Sequence, residues 1–578
     1  MKTFKPKNYT PSSPVPFTNN LPVQSKNPFD VKIIGLGGVG TVTKNFFVYE
    51  TEKDIIVLDC GIGFPDETNL GIDFVLPDVS YLMQPDKLKK VRAFLITHAH
   101  EDHMGGLPYI LPKISVPVYT GKLTAGFIKG KLEQTKGGNR FQINTVEEGT
   151  IYTFGDFRAE FVHITHSVPD SKGIVLKVKG YTIYHSPDFK FDWTPVDGRA
   201  SDATRIAQIA GEDNGVFLLL SDCLRSEKKG YTLSEVKIQD SFDKVISKTK
   251  GNVYITTASS NISRIEQAVK SAEKFNKRVA LVGRSIDRNI TIAQNLGFIN
   301  IPRKMLVKPE AIQHHKNDLV VIVAGSQAQP ESALSMAVTG EHRKVTLAAG
   351  DAVVFSADPI PGNETAVDKM INSLTAMGVE VYYSSILEDL HVSGHGAEMD
   401  LKLMMALTKA KNVLPIGGSL RQMKQYGRIA TTMGYQDSNI IIPKPAQEVI
   451  LFNQKISLGK VIPAENIFVD SMEAGEIDEA ILKDRRTLSS DGIVLAILKI
   501  NHTDGSLYQD PEIITRGFIK IDKDEIIRSS KRSISKVMDN RSLIDSNSLR
   551  HRIKDSLERY FFDEYRKRPL VLIFTIEV

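Results

Sequence analysis

His98-Ala99-His100-Glu101-Asp102-His103 directly follows the apolar run Val91-Arg92-Ala93-Phe94-Leu95-Ile96-Thr97 and precedes Met104-Gly105-Gly106-Leu107. Five of these six residues carry an imidazole or a carboxylate, in a chain with only 13 histidines among 578 residues, so the density points to function rather than chance. A loop leaving the end of a strand can fan such side chains toward two adjacent cations, His98 and His100 to one, Asp102 and His103 to the other. Nitrogen and oxygen ligands of this kind suit Zn²⁺, with Mn²⁺ as a harder alternative.

The spacing resembles the HxHxDH motif of the metallo-β-lactamase superfamily, and that resemblance implies further ligands at later strand ends. His166 in Ile164-Thr165-His166-Ser167-Val168-Pro169-Asp170 and Asp188 in Tyr184-His185-Ser186-Pro187-Asp188 stand in the order the superfamily requires. Either alone would be an ordinary residue closing a strand. Two divalent cations sharing Asp188 would supply hydroxide near neutral pH and hold a phosphate in line for attack. Asp59, after the apolar Ile55-Ile56-Val57-Leu58, is placed to orient the His-rich loop, because metal-bound imidazoles usually donate their other N–H to a carboxylate or carbonyl.

Gly35-Leu36-Gly37-Gly38-Val39-Gly40 matches GxGxxG and has Asp59 about twenty residues on, as a dinucleotide-binding unit would. That fingerprint needs a helix to begin at the last glycine. The continuation Thr41-Val42-Thr43-Lys44-Asn45-Phe46-Phe47-Val48-Tyr49 is β-branched and aromatic without helical period, so the segment reads as a glycine-rich turn between two antiparallel strands.

A composition of 41% hydrophobic and 24% charged residues is that of a globular protein. Cys60 and Cys223 are the only cysteines, too few for a disulfide framework and suited to a cytoplasmic location. No apolar stretch is long enough to span a bilayer, and residues 1–30 read as a disordered basic tail rather than a signal peptide. The formal charge of +5 is unevenly spread. Residues 1–30 carry four Lys against one Asp, and residues 526–568 carry twelve Lys or Arg against six acids. Together the ends hold +9, a footprint suited to nucleic acid.

Beyond Asp188, Phe217-Leu218-Leu219-Leu220-Ser221-Asp222 is a buried strand ending in a carboxylate, and about 160 residues of alternating strand and helix follow. Val253-Tyr254-Ile255-Thr256-Thr257, Val279-Ala280-Leu281-Val282 and Leu319-Val320-Val321-Ile322-Val323 predict a parallel sheet with ligands outside its carboxyl ends. Arg284, Ser285 and Ser326 stand at those ends and suit phosphates. This insertion, Asp222 and His391-Val392-Ser393-Gly394-His395-Gly396 resemble the β-CASP branch of the superfamily. Phe64-Pro65, Leu70-Gly71-Ile72-Asp73, Thr165-His166-Ser167-Val168-Pro169-Asp170-Ser171, Asp188-Phe189-Lys190-Phe191-Asp192, Pro359-Ile360-Pro361-Gly362-Asn363-Glu364 and Arg516-Gly517-Phe518 narrow the resemblance to the ribonuclease J family, from about residue 31 to the C-terminus.

That resemblance implies an RNA-degrading enzyme with 5′-to-3′ exonuclease and endonuclease activity, acting as a homodimer or homotetramer with RNA-degradation partners and no membrane attachment. It implies metal ligands His98, His100, Asp102, His103, His166 and Asp188, and candidate catalytic residues Asp102, Asp222 and His395. His391, Ser393, Gly394 and His395 become candidates for holding single-stranded RNA or its phosphates. The fold expected is α/β (α+β): a metallo-β-lactamase αββα sandwich over 31–232 and 391–450, an inserted β-CASP domain over 233–390, a linker over 451–479 and a small C-terminal α/β domain over 480–578.

The chain departs from the family at one chemically important place. Where a PxHGE-like stretch usually supplies a histidine to the second cation, this chain reads Leu414-Pro415-Ile416-Gly417-Gly418-Ser419. Glycine has no side chain to ligate, so the second site is weakened to Asp102, His103 and Asp188. Pro187 and Ser263 are milder departures. Three accounts stand open: an active variant with an adjusted site, a catalytically attenuated RNA-binding partner of another ribonuclease, or a DNA-acting β-CASP nuclease. The intact remaining ligands favour the first.

Overall fold

The computed structural model describes residues 28–65, 69–212, 215–315, 317–360, 362–387, 389–470, 479–502, 505–518, 523–539 and 546–578. The basic tail expected over 1–30 lies almost entirely outside them. Asp30, its last residue, is already tied to the body of the protein, its N–H donating to Leu451 O at 2.9 Å and its carboxylate accepting from the Tyr181 hydroxyl. Contacts divide the chain into two compact units, one of Met1–Phe64 with Val75–Asn466 and one of Pro65–Phe74 with Ile467–Val578.

Two sheets form the sandwich of the larger unit. The eight-stranded sheet runs Lys455–Val461, Gln447–Phe452, Val31–Gly37, Phe46–Glu50, Ile55–Leu58, Val91–Ile96, Val118–Thr120 and Ile143–Thr145. The six-stranded sheet runs Asn412–Ile416, Leu218–Asp222, Tyr181–Ser186, Lys172–Val178, Phe157–His163 and Ile151–Phe154. Phe47, Tyr49, Ile56, Leu58 and Leu95 from the first meet Phe161, Ile174, Leu176, Ile183 and Leu220 from the second in one buried core. Truncating Phe161 or Leu220 to Ala would cost about 2–5 kcal/mol, transfer and cavity terms together. Helices Ala203–Glu212, Glu398–Thr408 and Leu420–Thr432 contribute to that core, and Lys122–Leu132 packs with the other face of the first sheet. Central strands such as Phe46–Glu50 are therefore buried throughout, which is why they read as unbroken apolar runs rather than alternating ones.

The glycine-rich segment is not the turn expected: Gly35 and Gly37 end the strand Val31–Gly37, and after a bend at Gly38 the short strand Val39–Gly40 pairs in parallel with Gly418–Ser419. Val31–Gly37 and Phe46–Glu50 pair antiparallel, with no helix between them for a dinucleotide. The third sheet is wholly parallel, ordered Leu306–Val307, Arg278–Val282, Leu319–Val323, Val253–Thr256, Ala352–Phe355 and Glu380–Tyr382. Its helix Ile262–Lys274 starts where the Asn261 side chain accepts from Arg264 N, satisfying one free donor of the first turn.

One segment corrects the sequence expectation. Residues 455–461, within the linker expected over 451–479, are a strand pairing with Gln447–Phe452 at the edge of the first sheet. The connecting Asn453 and Gln454 have φ of 49° and 56°, the two left-handed residues of a tight hairpin turn. Without glycine the pair gave no turn signal. Another short strand, Asn466–Val469, also lies within the expected linker.

In the smaller unit, Glu512–Arg516, Ile493–Ile500 and Leu570–Glu577 form a three-stranded sheet. Alternation turns Val494, Ala496, Leu498 and Ile500 toward helices Lys523–Asp539 and Ser546–Tyr565, where they meet Ile526, Ile534, Ile553, Leu557 and Phe561. Leu572, Phe574 and Ile576 are left 37%, 55% and 47% exposed. No helix among the described residues is long and apolar enough to cross a membrane.

Candidate metal centre

The strands deliver their chemistry at their carboxyl ends. Val91–Ile96 leads into His98 and His100, and the turn Glu101–Met104 carries Asp102 and His103. Phe157–His163 precedes His166, Tyr181–Ser186 precedes Asp188, Leu218–Asp222 ends on Asp222, and Asn412–Ile416 stops just before Gly417.

His98, His100, His166 and Asp188 form one group able to hold a metal ion, and Asp102, His103 and Asp188 a second. In the first, His98 Nε2 and His166 Nε2 each lie 3.1 Å from His100 Nδ1, and 3.7 and 3.8 Å from Asp188 Oδ2. In the second, His103 Nε2 is 3.5 Å from Asp102 Oδ2 and 3.2 Å from Asp188 Oδ2. One oxygen of Asp188 thus faces both groups.

Every imidazole is steered from behind. His103 Nδ1 meets Asp59 Oδ2 at 2.7 Å, and Asp59 is itself fixed by the Thr97 N–H and hydroxyl. His166 Nδ1 donates to Gly394 O at 2.8 Å, His98 Nδ1 lies 3.0 Å from Thr97 Oγ1 and His100 Nε2 3.2 Å from Ser167 Oγ. With the outer nitrogen engaged, the inner lone pair points into the centre. A Cβ on Gly394 would sit 2.6 Å from the His166 ring, so only glycine lets this backbone carbonyl approach.

The electrostatics fit divalent cations. Burial, reinforced by the neighbouring imidazoles, holds His98 and His166 well below the ordinary imidazole range, and burial pushes His100 down to about 3, so all three are neutral donors. Burial also pushes the Asp102 carboxyl up to about 6. His103 goes the other way: burial opposes its charge, but Asp188, Asp102 and Asp59 together raise it well above its usual value. Asp188 and Asp59, both buried, and the half-buried Asp102 surround His103 with carboxylates, a setting that suits a divalent cation.

Asp188, Asp222 and His395 form a third cluster of possible ligands. His395 Nδ1 is 2.8 Å from Asp222 Oδ2, while Nε2 faces Asp188 Oδ2 at 3.9 Å. Burial opposes its charge, yet Asp222 and Asp188 push it up to about 9. Its backbone is held by Ser393 Oγ, which accepts from His395 N, and by the Thr232 hydroxyl, which donates to His395 O. Gly417 opens onto the same place: a Cβ there would lie 3.7 Å from both Asp188 Oδ1 and Asp222 Oδ1.

Other expected residues sit elsewhere. His391 Nδ1 meets Nη1 of the buried Arg264 at 3.0 Å, and that guanidinium also binds Glu235, Ser356 O and Val392 O. His391 is therefore engaged in a structural network. Arg284, exposed, and Ser285, half-buried, open the helix Arg284–Asn295, while Ser326 is buried after Leu319–Val323; none belongs to the clusters around Asp188. Asn45, whose amide lies 3.0 Å from His103 Nε2, stands in no motif that sequence reasoning could have singled out.

Residues 39–191 match the metallo-beta-lactamase superfamily, 250–374 the beta-CASP domain of ribonuclease J and 480–578 the ribonuclease J C-terminal domain. Ribonuclease J2 of Bacillus subtilis (strain 168) is 33% identical over 561 residues, spanning 96% of this chain and 100% of that protein. The chain belongs to the ribonuclease J family. Other relatives in the family are Ribonuclease J 1 of Streptococcus pyogenes serotype M3, 34% identical over 95% of this chain and 98% of that one, and Ribonuclease J of Thermus thermophilus, 36% identical over 85% of each. A crystal structure of a protein of unknown function from Enterococcus faecalis V583 shares the fold at a TM-score of 0.52 and 13% identity, covering 73% of this chain and all of that one.

Proposed function

We propose that this ribonuclease J family member is a metal-dependent ribonuclease that hydrolyses RNA phosphodiesters, as a 5′-to-3′ exonuclease and an endonuclease, in the cytoplasm. The observation that carries this is the pair of ligand groups meeting on Asp188 Oδ2. The first, with three imidazoles and one carboxylate, suits Zn²⁺; the second, richer in oxygen, suits Zn²⁺ or Mn²⁺. Bound there, the cations would supply a hydroxide nucleophile near neutral pH and offset charge on the phosphate.

The chain's own residues do the rest. Asp59, Thr97, Ser167 and Gly394 hold the imidazoles in their productive orientation. Asp222 fixes the His395 ring through Nδ1, leaving Nε2 turned toward Asp188 to donate a proton to the leaving 3′-oxygen. Ser393 and Gly394 shape the turn that carries it. Arg284, Ser285 and Ser326, farther along the third sheet's carboxyl ends, are where a single strand of RNA would be held by its phosphates.

Metal content by mass spectrometry, with cleavage of a 5′-monophosphorylated RNA, tests this directly. Turnover that disappears with chelation and returns with Zn²⁺ or Mn²⁺ is expected. Two metals bound without turnover would instead establish an attenuated partner subunit, the reading that Gly417 favours, and cleavage of DNA but not RNA would establish the third.

The exposed Leu572, Phe574 and Ile576 would be covered in a homodimer or homotetramer. Phe574→Asp should lower the molar mass by light scattering to that of a smaller assembly. An unchanged mass would place the assembly surface elsewhere.

A further inference from the structure

Asn45 is only 2% exposed and is held firmly by its backbone, its N–H donating to Asp102 O and its carbonyl accepting from Gly61 N, both at 2.9 Å. Its carboxamide reaches the second ligand group. Nδ2 lies 3.0 Å from His103 Nε2, 3.4 Å from Asp102 Oδ2 and 3.3 Å from Val42 O. Two atoms each about 2.1 Å from one ion, at angles between a right angle and the tetrahedral value, stand roughly 3.0–3.4 Å apart. The amide is thus at ligand spacing from two atoms of the group, as Asp188 Oδ2 is at 3.2 Å from His103 Nε2.

We propose that Asn45 is a ligand of the second cation, presenting its carboxamide oxygen to the ion that Gly417 leaves without an imidazole. The proposal rests on the two-cation reading of this centre. With no cation present, the N–H₂ end faces the Asp102 oxygen and the Val42 carbonyl, both acceptors, beside the His103 ring. A cation on Asp102 and His103 reverses the preference, repelling N–H and attracting the carbonyl dipole. A half-turn of the amide, which keeps its shape, exchanges nitrogen for oxygen and gives up the long contact to Val42 O. The second cation then has one nitrogen and three oxygens, against three nitrogens and one oxygen at the first. The second is the harder site, and it favours Mn²⁺ relative to the first.

The test uses the full chain, stripped by chelation, given one equivalent of Zn²⁺ and titrated with Mn²⁺, with free Mn²⁺ read by electron paramagnetic resonance. Asn45→Ala should weaken Mn²⁺ binding about tenfold or more while one Zn²⁺ per chain is retained. Asn45→Asp, which keeps an oxygen in place but cannot donate a hydrogen bond, should bind Mn²⁺ within a few-fold of the natural chain. Asn45→Ala binding Mn²⁺ as the natural chain does, or Asn45→Asp as weak as Asn45→Ala, overturns the proposal. Should Asn45→Ala fail to keep its Zn²⁺, Asn45→Asp decides alone, retained Mn²⁺ affinity supporting the proposal and lost affinity overturning it. A natural chain that retains neither metal overturns the two-cation reading instead.

Discussion

The two halves of the metal centre share one oxygen of Asp188 and differ in almost everything else. The first gathers His98, His100 and His166, all kept neutral by burial, and would be complete with Asp188. The second gathers one histidine among Asp102, Asp188 and Asp59, and beside it Gly417 faces Asp188 and Asp222 with no side chain of its own. Neutral nitrogens hold a cation by donating lone pairs; crowded carboxylates hold it because they repel one another without it. The first half should therefore stay ordered when empty, and the second should depend on its ion.

Removing the shared atom tests both halves together. Asp188→Ala should lower cleavage by three orders of magnitude or more and reduce bound metal below one per chain by mass spectrometry. If two ions stay bound, Asp188 does not bridge them.

Asp59→Ala separates the halves. It removes the carboxylate that orients His103, and loss of such a partner typically weakens metal binding by about 10–100-fold. Calorimetric titration should show the weaker event lost and the tighter one kept, because Asp59 bonds His103 directly and reaches His98 through Thr97. Equal loss of both would erase the distinction.

Gly417→His should make the halves more alike. The new Cβ would meet Asp188 and Asp222 at ordinary contact distance, and histidine is among the residues that tolerate the left-handed φ of 65°. The cost in stability is about 1–2 kcal/mol. The metal concentration for half-maximal activity should fall by up to about tenfold, the equivalent of one further 1.4 kcal/mol contact. No change would show that the glycine leaves nothing wanting.

The smallest effect is on pH. In chelated protein, His395 is raised from 6.5 to about 9, so the stability it contributes is present below about 6.5 and lost as pH rises through about 9. The melting temperature of metal-free protein should therefore drift down by a few degrees over that interval. The drift should become smaller in Asp222→Asn, which removes the main source of the His395 shift, and the part that stays belongs to His103.

His98, His100 and His103 were legible because three histidines within six residues stand out in a chain with few. His166 and Asp188 became legible only through their order along successive strands. Asn45 was not: it is neutral, lies at the start of an aromatic strand, and reaches Asp102 and His103 through a fold no local pattern reveals. His391 stood in a motif suggestive of phosphate, yet a buried guanidinium claims its ring. The parallel third sheet followed from its repeated strand and helix units, whereas the hairpin at Asn453-Gln454 hid because neither residue is glycine.

The first sheet has a consequence for how the protein is made. Val31–Gly37 lies between Phe46–Glu50 and Gln447–Phe452, with Val31 opposite Leu451. During synthesis at about 5–20 residues per second, that strand leaves the ribosome early and waits roughly twenty seconds to more than a minute for its second neighbour. Until then one flank of the sheet offers unpaired N–H and C=O groups to any other strand nearby. The third sheet, whose strands all lie between Val253 and Tyr382, can close on itself meanwhile. The nascent chain thus carries a finished inserted domain on an unfinished host, and joining the two ends of the host is the slow, long-range step of its folding.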